Sequence, residues 1–110
     1  MTLATYKLME IVKSKNGVPI RLTEERWLHI VENHDDLAGY YDDILNCVEE
    51  TDYIIKGYRN ALVALKKVDE RKFLAVVYKE LSNFDGFIIT AFFTSKIKLE
   101  KEEIVWQKQK

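Results

Sequence analysis

The sequence predicts an α+β fold in which two N-terminal helices pack on a four-stranded antiparallel β-meander, with an extra N-terminal strand. The first observation is that apolar residues recur at helical spacing between residues 27 and 48. The second is that from residue 53 the apolar period changes to two, in four extended runs separated by short turns. The 110 residues include only one proline and four glycines, so we expect a single domain over residues 1–110.

Two short extended segments open the chain. Residues 5–12 read as a strand, Asn16-Gly17 gives a turn signal, and residues 18–22 form a second candidate strand. Thr23 is then a good N-cap residue, and the two glutamates after it suit the positive end of a helix dipole. We therefore expect the first helix to begin directly after Thr23.

Each predicted helix has one apolar stripe at spacings of three and four residues. The stripe of the first helix consists of Trp27, Ile30, Val31 and His34. The second helix covers residues 40–50, and its stripe consists of Tyr41, Ile44, Leu45 and Val48. Both stripes are expected to pack on the sheet.

The meander is expected to have four strands, at residues 53–58, 61–68, 72–81 and 87–94. The last two are apolar on both faces, which is typical of central strands. The residues expected to be largely buried are Trp27, Ile30, Val31, Ile44, Leu45, Val48, Phe73, Val77, Ile89 and Phe93. The apolar residues 104–106 are also expected to dock, either as a strand or as a helix.

Composition excludes several classes of protein. The longest run without a charged residue is residues 86–95, which is too short to span a bilayer. The N-terminus has no secretion-signal pattern, and the single Cys47 can form neither an internal disulfide nor a thiolate metal site alone. We expect Cys47 to be a small buried hydrophobe in a cytoplasmic protein with no cofactor and no membrane contact.

Charge is unevenly distributed along the chain. The net charge is −1 for the whole sequence, −6 for residues 1–55 and +5 for residues 56–110. This asymmetry favours a polyanion-binding face, although both halves can also be ordinary solvated surface. We expect Lys56, Arg59, Lys72 and Lys96 to contribute to one positive surface.

Basic and aromatic side chains interleave along the predicted meander, as binding of single-stranded RNA requires. They are Lys56, Tyr58, Arg59, Lys66, Lys67, Arg71, Lys72, Tyr78 and Lys79. The alternative is an edge strand protected by lysines against aggregation, which explains Lys66 and Lys67 well and Tyr78, inside a central strand, less well.

The two histidines lie on different parts of the first helix. A helical wheel places His29 on the polar face beside Arg26, and His34 at the edge of the apolar face. His29 is either an exposed imidazole without a function or a proton-transfer group. His34 either bonds a backbone carbonyl at the helix end or joins the same site. Their five-residue spacing is poor for shared metal ligation, even with Asp35 and Asp36 nearby, so we expect no metal.

Hydroxyl groups and a cation lie at the end of the last predicted strand. By alternation, Thr90, Phe92 and Thr94 share one face, and Ser95 and Lys96 follow at the strand end. Such a cluster can hold a phosphate group by charge-assisted hydrogen bonds. Threonine is also an ordinary strand former, so the same residues can simply build and end the strand.

Three short motifs together resemble a known family. They are Arg26-Trp27-Leu28-His29-Ile30, Glu32-Asn33-His34-Asp35-Asp36 and Thr90-Ala91-Phe92-Phe93-Thr94-Ser95-Lys96, followed by Trp106. They resemble the R-x-x-H-I, H-P-E and T-A-[FY]-[FL]-T patterns of the small phage and toxin-type nuclease domains of the barnase–EndoU–colicin–RelE superfamily. The resemblance covers most of residues 20–106. Asp35 and Asp36 stand where that family has Pro and Glu.

The resemblance implies N-terminal helices packed on an antiparallel sheet and metal-free cleavage of RNA. It also implies two kinds of partner, RNA and a cognate inhibitor or antitoxin protein. The 2′-hydroxyl would attack the adjacent phosphorus, with His29 as the preferred general acid or base and His34 complementing or orienting it. The expected catalytic residues are His29, His34, Arg26, Thr94, Ser95 and Lys96. The expected RNA-binding residues are Lys56, Arg59, Lys72, Tyr78 and Thr90.

Within that mechanism, Arg26, Lys96 and Lys72 would stabilise the charge of the transition state. Thr94 and Ser95 would hold phosphate oxygens. Tyr78 would donate a proton or stack on a base. The alternatives are a catalytically inactive module of the same fold that binds nucleic acid or protein, and a small housekeeping domain without catalysis.

Overall fold

A β-hairpin, two helices and a strand meander follow one another along the chain, and the computed structural model describes residues 9–109. The strands are β1 (Met9–Lys13), β2 (Pro19–Thr23), β3 (Tyr53–Lys56), β4 (Leu62–Asp69), β5 (Lys72–Ser82), β6 (Asp85–Thr94) and β7 (Ile104–Gln107). The α-helices are α1 (Glu24–Asn33) and α2 (Tyr41–Glu49). Short 3₁₀ turns cover Asp35–Leu37 and Leu99–Lys101, and Tyr58–Asn60 form a tight turn with positive φ at Arg59 and Asn60.

The strands form one mixed sheet in the order β1-β2-β6-β5-β4-β3-β7. Strands β3 to β6 are an antiparallel meander. Strand β2 pairs with β6 in parallel, with Ile20 opposite Gly86 and Arg21 opposite Phe87. The prediction of two helices on a four-stranded antiparallel meander with an extra N-terminal strand is therefore wrong, because within residues 9–109 the sheet has seven strands and one parallel pairing.

The additional strands join the meander through contacts between distant parts of the chain. Along the chain, both helices come after β2 and before the meander. They form the crossover connection that lets β2 and β6 run in the same direction. At the other edge, the apolar residues near the C-terminus form β7, which pairs antiparallel with β3. Residues 104–106 therefore dock as a strand.

The N-terminal hairpin is fastened to the meander by polar contacts. Residues 5–8 of the first predicted strand lie outside the described residues, and the remainder continues to Lys13. Gly17 has a φ of 81° in the turn, a left-handed conformation that favours glycine. Ser14 Oγ donates a 2.6 Å hydrogen bond to Glu80, and Asn16 Nδ2 donates to the same carboxylate at 3.0 Å.

The predicted start of α1 is confirmed. The Thr23 hydroxyl accepts a 3.1 Å hydrogen bond from the Arg26 backbone N–H, as an N-cap residue does. Ile30, Ile44, Leu45 and Val48 are buried as expected. Trp27, Val31, Phe73, Val77, Ile89 and Phe93 are only half-buried. Within residues 9–109, no helix is long and apolar enough to cross a membrane.

The two faces of the sheet have different environments. The side chains of Leu74, Val76 and Tyr78 on β5 pack with the buried stripes of α1 and α2. The alternate β5 residues point to the opposite side, which we call the open face. Part of the open face is covered where Ile97 and Leu99, in the segment after β6, pack on a second cluster around Leu65 and Ala75.

Candidate functional site

The open face carries the hydroxyl groups that the sequence singled out on β6. Thr90 is opposite Val77 of β5, Phe92 is opposite Ala75, and Thr94 is opposite Phe73, so these β6 side chains share the open face. A bulge precedes Thr90, because Tyr78 pairs with Ile88 while Val77 pairs with Thr90. The bulge keeps both Ile88 and Ala91 in the helix-side core.

Helix α1 runs beside β6 and adds side chains along this strand. Arg26 lines a shallow cleft of about 200 Å³ together with Arg21, Thr23, Phe87 and Ile88. Within residues 9–109, no ion pair engages the Arg26 guanidinium. This cation is therefore available to an anion that enters the cleft.

Arg21 differs from its neighbour because it is already paired. Its guanidinium forms an ion pair with Asp85 and lies 5.7 Å from the ring centroid of Phe87. Lys79 of β5 is opposite Phe87, so it faces the same side of the sheet. Three cationic side chains thus lie near this end of β6, and one of them has a carboxylate partner.

His34 is the histidine that contacts β6. It caps the C-terminal end of α1, where its backbone N–H bonds the Ile30 carbonyl at 2.8 Å. Its ring centroid is 6.1 Å from that of Phe92. Within residues 9–109, the His34 imidazole has no hydrogen bond, so the backbone-carbonyl partner considered for it is not present. The ring is half-buried and retains its capacity to bond a ligand.

His29 lies in a different environment. It lines an open cleft of about 470 Å³ with Glu24, Glu25, Leu28 and Glu32. Its Nε2 is 3.4 Å from Asn33 Nδ2 on the next turn. Three carboxylates in this cleft oppose the binding of a phosphate, so the position of His29 suits it poorly to the role that the sequence suggested.

The strand end at residues 94–96 is compact. The Lys96 backbone N–H donates a 3.1 Å hydrogen bond to Thr94 Oγ1, which closes a local turn. The side chains of Ser95 and Lys96 are exposed. His34 packs against Phe92 of β6, and Thr94 lies on the same face of that strand. These two are therefore the expected catalytic residues that the structure brings to one strand.

The cations expected to share one positive surface have different neighbours. Lys56 pairs with Glu103 at 3.5 Å. Lys72 lies 5.0 Å from the ring of Phe93, which packs with the helix-side core. Arg59 stacks 5.3 Å from the ring of Tyr58 in the β3–β4 turn. Lys56 is opposite Leu62, which packs with the helix-side core, so Lys56 and Lys72 share this face but lie at opposite ends of the strands.

Tyr78 cannot contact RNA in this structure. Its side chain is 0% exposed within the helix-side core, and its hydroxyl has no hydrogen-bond partner within the described part of the chain. Burial raises the pKa of this hydroxyl, which makes it a poorer proton donor. We therefore leave Tyr78 out of the candidate site.

Sequence reasoning missed Arg21 and Phe87 as neighbours of Arg26. Arg21 and Phe87 become neighbours only through the parallel pairing of β2 with β6, for which the local pattern carries no signal. Alternation within residues 18–22, with Ile20 and Leu22 on one side, does indicate that Arg21 faces away from the core.

No protein-family model, no curated protein and no solved structure matches this chain. Within residues 9–109, no three His, Cys, Asp or Glu side chains form a cluster that could hold a metal ion.

Proposed function

We propose that the protein is a metal-independent endoribonuclease whose reaction centre lies along β6 on the open face. The observation that carries this proposal is the position of His34. Its imidazole packs 6.1 Å from the ring of Phe92, and the open-face neighbours of Phe92 along β6 are Thr90 and Thr94. An imidazole and two hydroxyls beside one strand supply a proton-transfer group and phosphate-binding donors.

The reaction follows from those groups. The ribose 2′-oxygen attacks the adjacent phosphorus while the His34 imidazole accepts its proton. The bond from phosphorus to the 5′-oxygen breaks, and water protonates the departing oxygen. Thr90 and Thr94 lie four residues apart on β6, about 13 Å along the strand, so their hydroxyls donate hydrogen bonds to different phosphates of the RNA. Arg26 offsets the charge that develops on the reacting phosphate. The products are a 2′,3′-cyclic phosphate and a 5′-hydroxyl.

This proposal changes the roles expected from the sequence. His34, rather than His29, is the general base, because His29 is surrounded by Glu24, Glu25 and Glu32. Lys79 replaces Lys72 as the β5 cation, because the register directs Lys79 to the open face. Thr94 keeps its expected role.

The second candidate is an inactive module that binds RNA on the same face. It is favoured by the fact that only one of the two histidines packs against β6, since efficient cleavage of this type generally uses an acid as well as a base. Both candidates predict RNA binding, and they differ only in turnover.

Cleavage of an end-labelled single-stranded RNA by the full chain separates the two candidates. We expect cleavage in EDTA, no cleavage of DNA of the same sequence, and a loss of about 10²- to 10⁴-fold in rate in His34→Gln. His29→Gln is the matched control and should cleave at the wild-type rate. Thermal unfolding of both variants checks that they fold.

Three results would overturn the proposal. They are full activity in His34→Gln, cleavage of DNA, and loss of activity in EDTA. RNA binding by the wild type without any cleavage would establish the binding module in its place.

A further inference from the structure

Two aromatic rings project into solvent at one end of the sheet. Tyr58 is 79% exposed and Phe84 is 85% exposed, the highest values among the large exposed apolar side chains of the described chain. Tyr58 lies in the β3–β4 turn and Phe84 in the β5–β6 turn. Because β3 to β6 are consecutive antiparallel strands, these two turns lie at the same end of the sheet.

The β3–β4 turn holds Tyr58 in a defined position. The Gly57 N–H bonds the Ala61 carbonyl at 2.8 Å, and the Ala61 N–H bonds the Tyr58 carbonyl at 3.1 Å. Arg59 and Asn60 have φ values of 56° and 67°, as a type I′ turn requires. A positive φ is uncommon for arginine, and here it accompanies a guanidinium 5.3 Å from the Tyr58 ring.

The β5–β6 turn is equally short. Ser82 pairs with Asp85, so only Asn83 and Phe84 form the loop. The Phe84 N–H donates a 3.1 Å hydrogen bond to Ser82 Oγ. The ring of Phe84 is therefore carried on a tight turn rather than on a long loop.

Cationic side chains occupy the open face beside these turns. Lys79 and Arg21 flank Phe87 there, and Arg59 lies in the β3–β4 turn itself. The carboxylate of Glu80 is held on the other side of β5 by Ser14 and Asn16. Aromatic rings with nearby positive charge are the combination that binds single-stranded nucleic acid, because the rings stack on unpaired bases and the cations contact the phosphates.

We propose that Tyr58 and Phe84 are stacking platforms for unpaired bases of a single-stranded RNA that crosses the open face. This inference rests on the proposed function and defines its substrate class as single-stranded rather than duplex RNA. In a duplex the bases are already stacked and paired, so neither ring has a base to contact. The rings lie outside the reaction centre, so they add affinity for longer strands without taking part in the chemistry.

Fluorescence anisotropy with a labelled uridine decamer tests this inference, in a His34→Gln background that prevents cleavage. We expect Tyr58→Ala and Phe84→Ala each to weaken binding by about 5- to 150-fold. Tyr58→Phe and Phe84→Trp keep an aromatic ring and should retain the affinity. Val105→Ala removes an exposed apolar side chain from β7 and is the surface control.

A second measurement separates this inference from the proposed function. With an active site intact, Tyr58→Ala and Phe84→Ala should cleave the decamer poorly at low concentration and a dinucleotide at the wild-type rate. Unchanged affinity in both alanine variants, or equal binding of a duplex, would overturn the stacking role while leaving cleavage by His34 in place. A wild-type protein that binds no RNA would overturn both.

Discussion

Ile20 of β2 packs directly on Gly86 of β6, its partner in the parallel pairing. A Cβ at position 86 would lie 2.5 Å from Ile20 Cδ1 and 2.6 Å from the backbone carbonyl oxygen of Lys79. The isoleucine terminus can rotate away, but the Lys79 carbonyl belongs to the β5 backbone and cannot. Glycine at this position therefore allows the β6 backbone to approach the Lys79 carbonyl of β5, and it leaves room for Ile20 of β2.

Gly86→Ala should reduce the free energy of unfolding by about 1–3 kcal/mol, because the added methyl group would collide with the Lys79 carbonyl of β5 and crowd Ile20. Gly39→Ala is the matched control, since a Cβ there meets no atom within 4 Å. Urea denaturation measures both. Equal stability of the two variants would contradict the close packing at Gly86.

Tyr78→Phe should stabilise the protein. The Tyr78 hydroxyl is buried without a hydrogen-bond partner in the described chain, so its removal relieves a desolvation penalty of about 1–3 kcal/mol. A gain of 1 kcal/mol would raise the Tm by about 4 °C in a domain of this size. RNA cleavage should be unchanged. A lower Tm, or a loss of cleavage, would show that the hydroxyl has a partner or a role.

Cys47 should make the fold sensitive to alkaline pH. Burial raises the pKa of its thiol to about 12 from an ordinary value of 9.0. Below about pH 9 the thiol is protonated in both the folded and the unfolded chain, and its contribution to stability is fully present. As the pH rises from about 9 to 12, only the unfolded chain releases this proton, so the folded state loses that stability.

Cys47→Ala removes this contribution. Urea denaturation at increasing pH gives the free energy of unfolding. Above pH 9 this free energy should fall less steeply in Cys47→Ala than in the wild type, by up to about 1.4 kcal/mol per pH unit. The same slope in both proteins would show that the thiol ionises while the protein remains folded.

Salt dependence should distinguish the two faces of β5. Lys79 faces the open side with Thr90, whereas Lys72 lies against Phe93 on the helix side. If Lys79 contacts one RNA phosphate, Lys79→Ala should reduce the slope of log affinity against log salt by about 0.7. Lys72→Ala should leave the slope unchanged. A larger change of slope in Lys72→Ala than in Lys79→Ala would indicate that RNA binds on the helix side of the sheet.

The sequence predicted the local elements of the fold better than its long-range pairings. Thr23 and its following glutamates marked the start of α1, and the change of period near Tyr53 marked the start of the meander. The parallel contact of Ile20 with Gly86 escaped prediction, because it depends on how both helices return the chain and involves only two residue pairs. Strand β7 was recognised as apolar, but its partner β3 could not be read from its own residues.

The candidate site was predicted in its parts more than in its arrangement. Alternation correctly placed Thr90, Phe92 and Thr94 on one face. The helical wheel correctly placed His29 on the exposed face of α1, but it did not show that three carboxylates share the cleft with this side chain. His34 lies beyond the last residue of α1, where helical periodicity no longer fixes the direction of a side chain.

The strands at the two edges of the sheet, β1 and β7, come from near opposite ends of the chain. The central hairpins close short loops, whereas the pairing of β2 with β6 joins residue 20 to residue 86, and that of β3 with β7 joins residue 54 to residue 106. Loop-closure entropy makes the central hairpins quick to form and the outer pairings slow. Folding should therefore start in the middle of the sheet and add strands outward, so that the last strands to join are also the first to detach in partial unfolding.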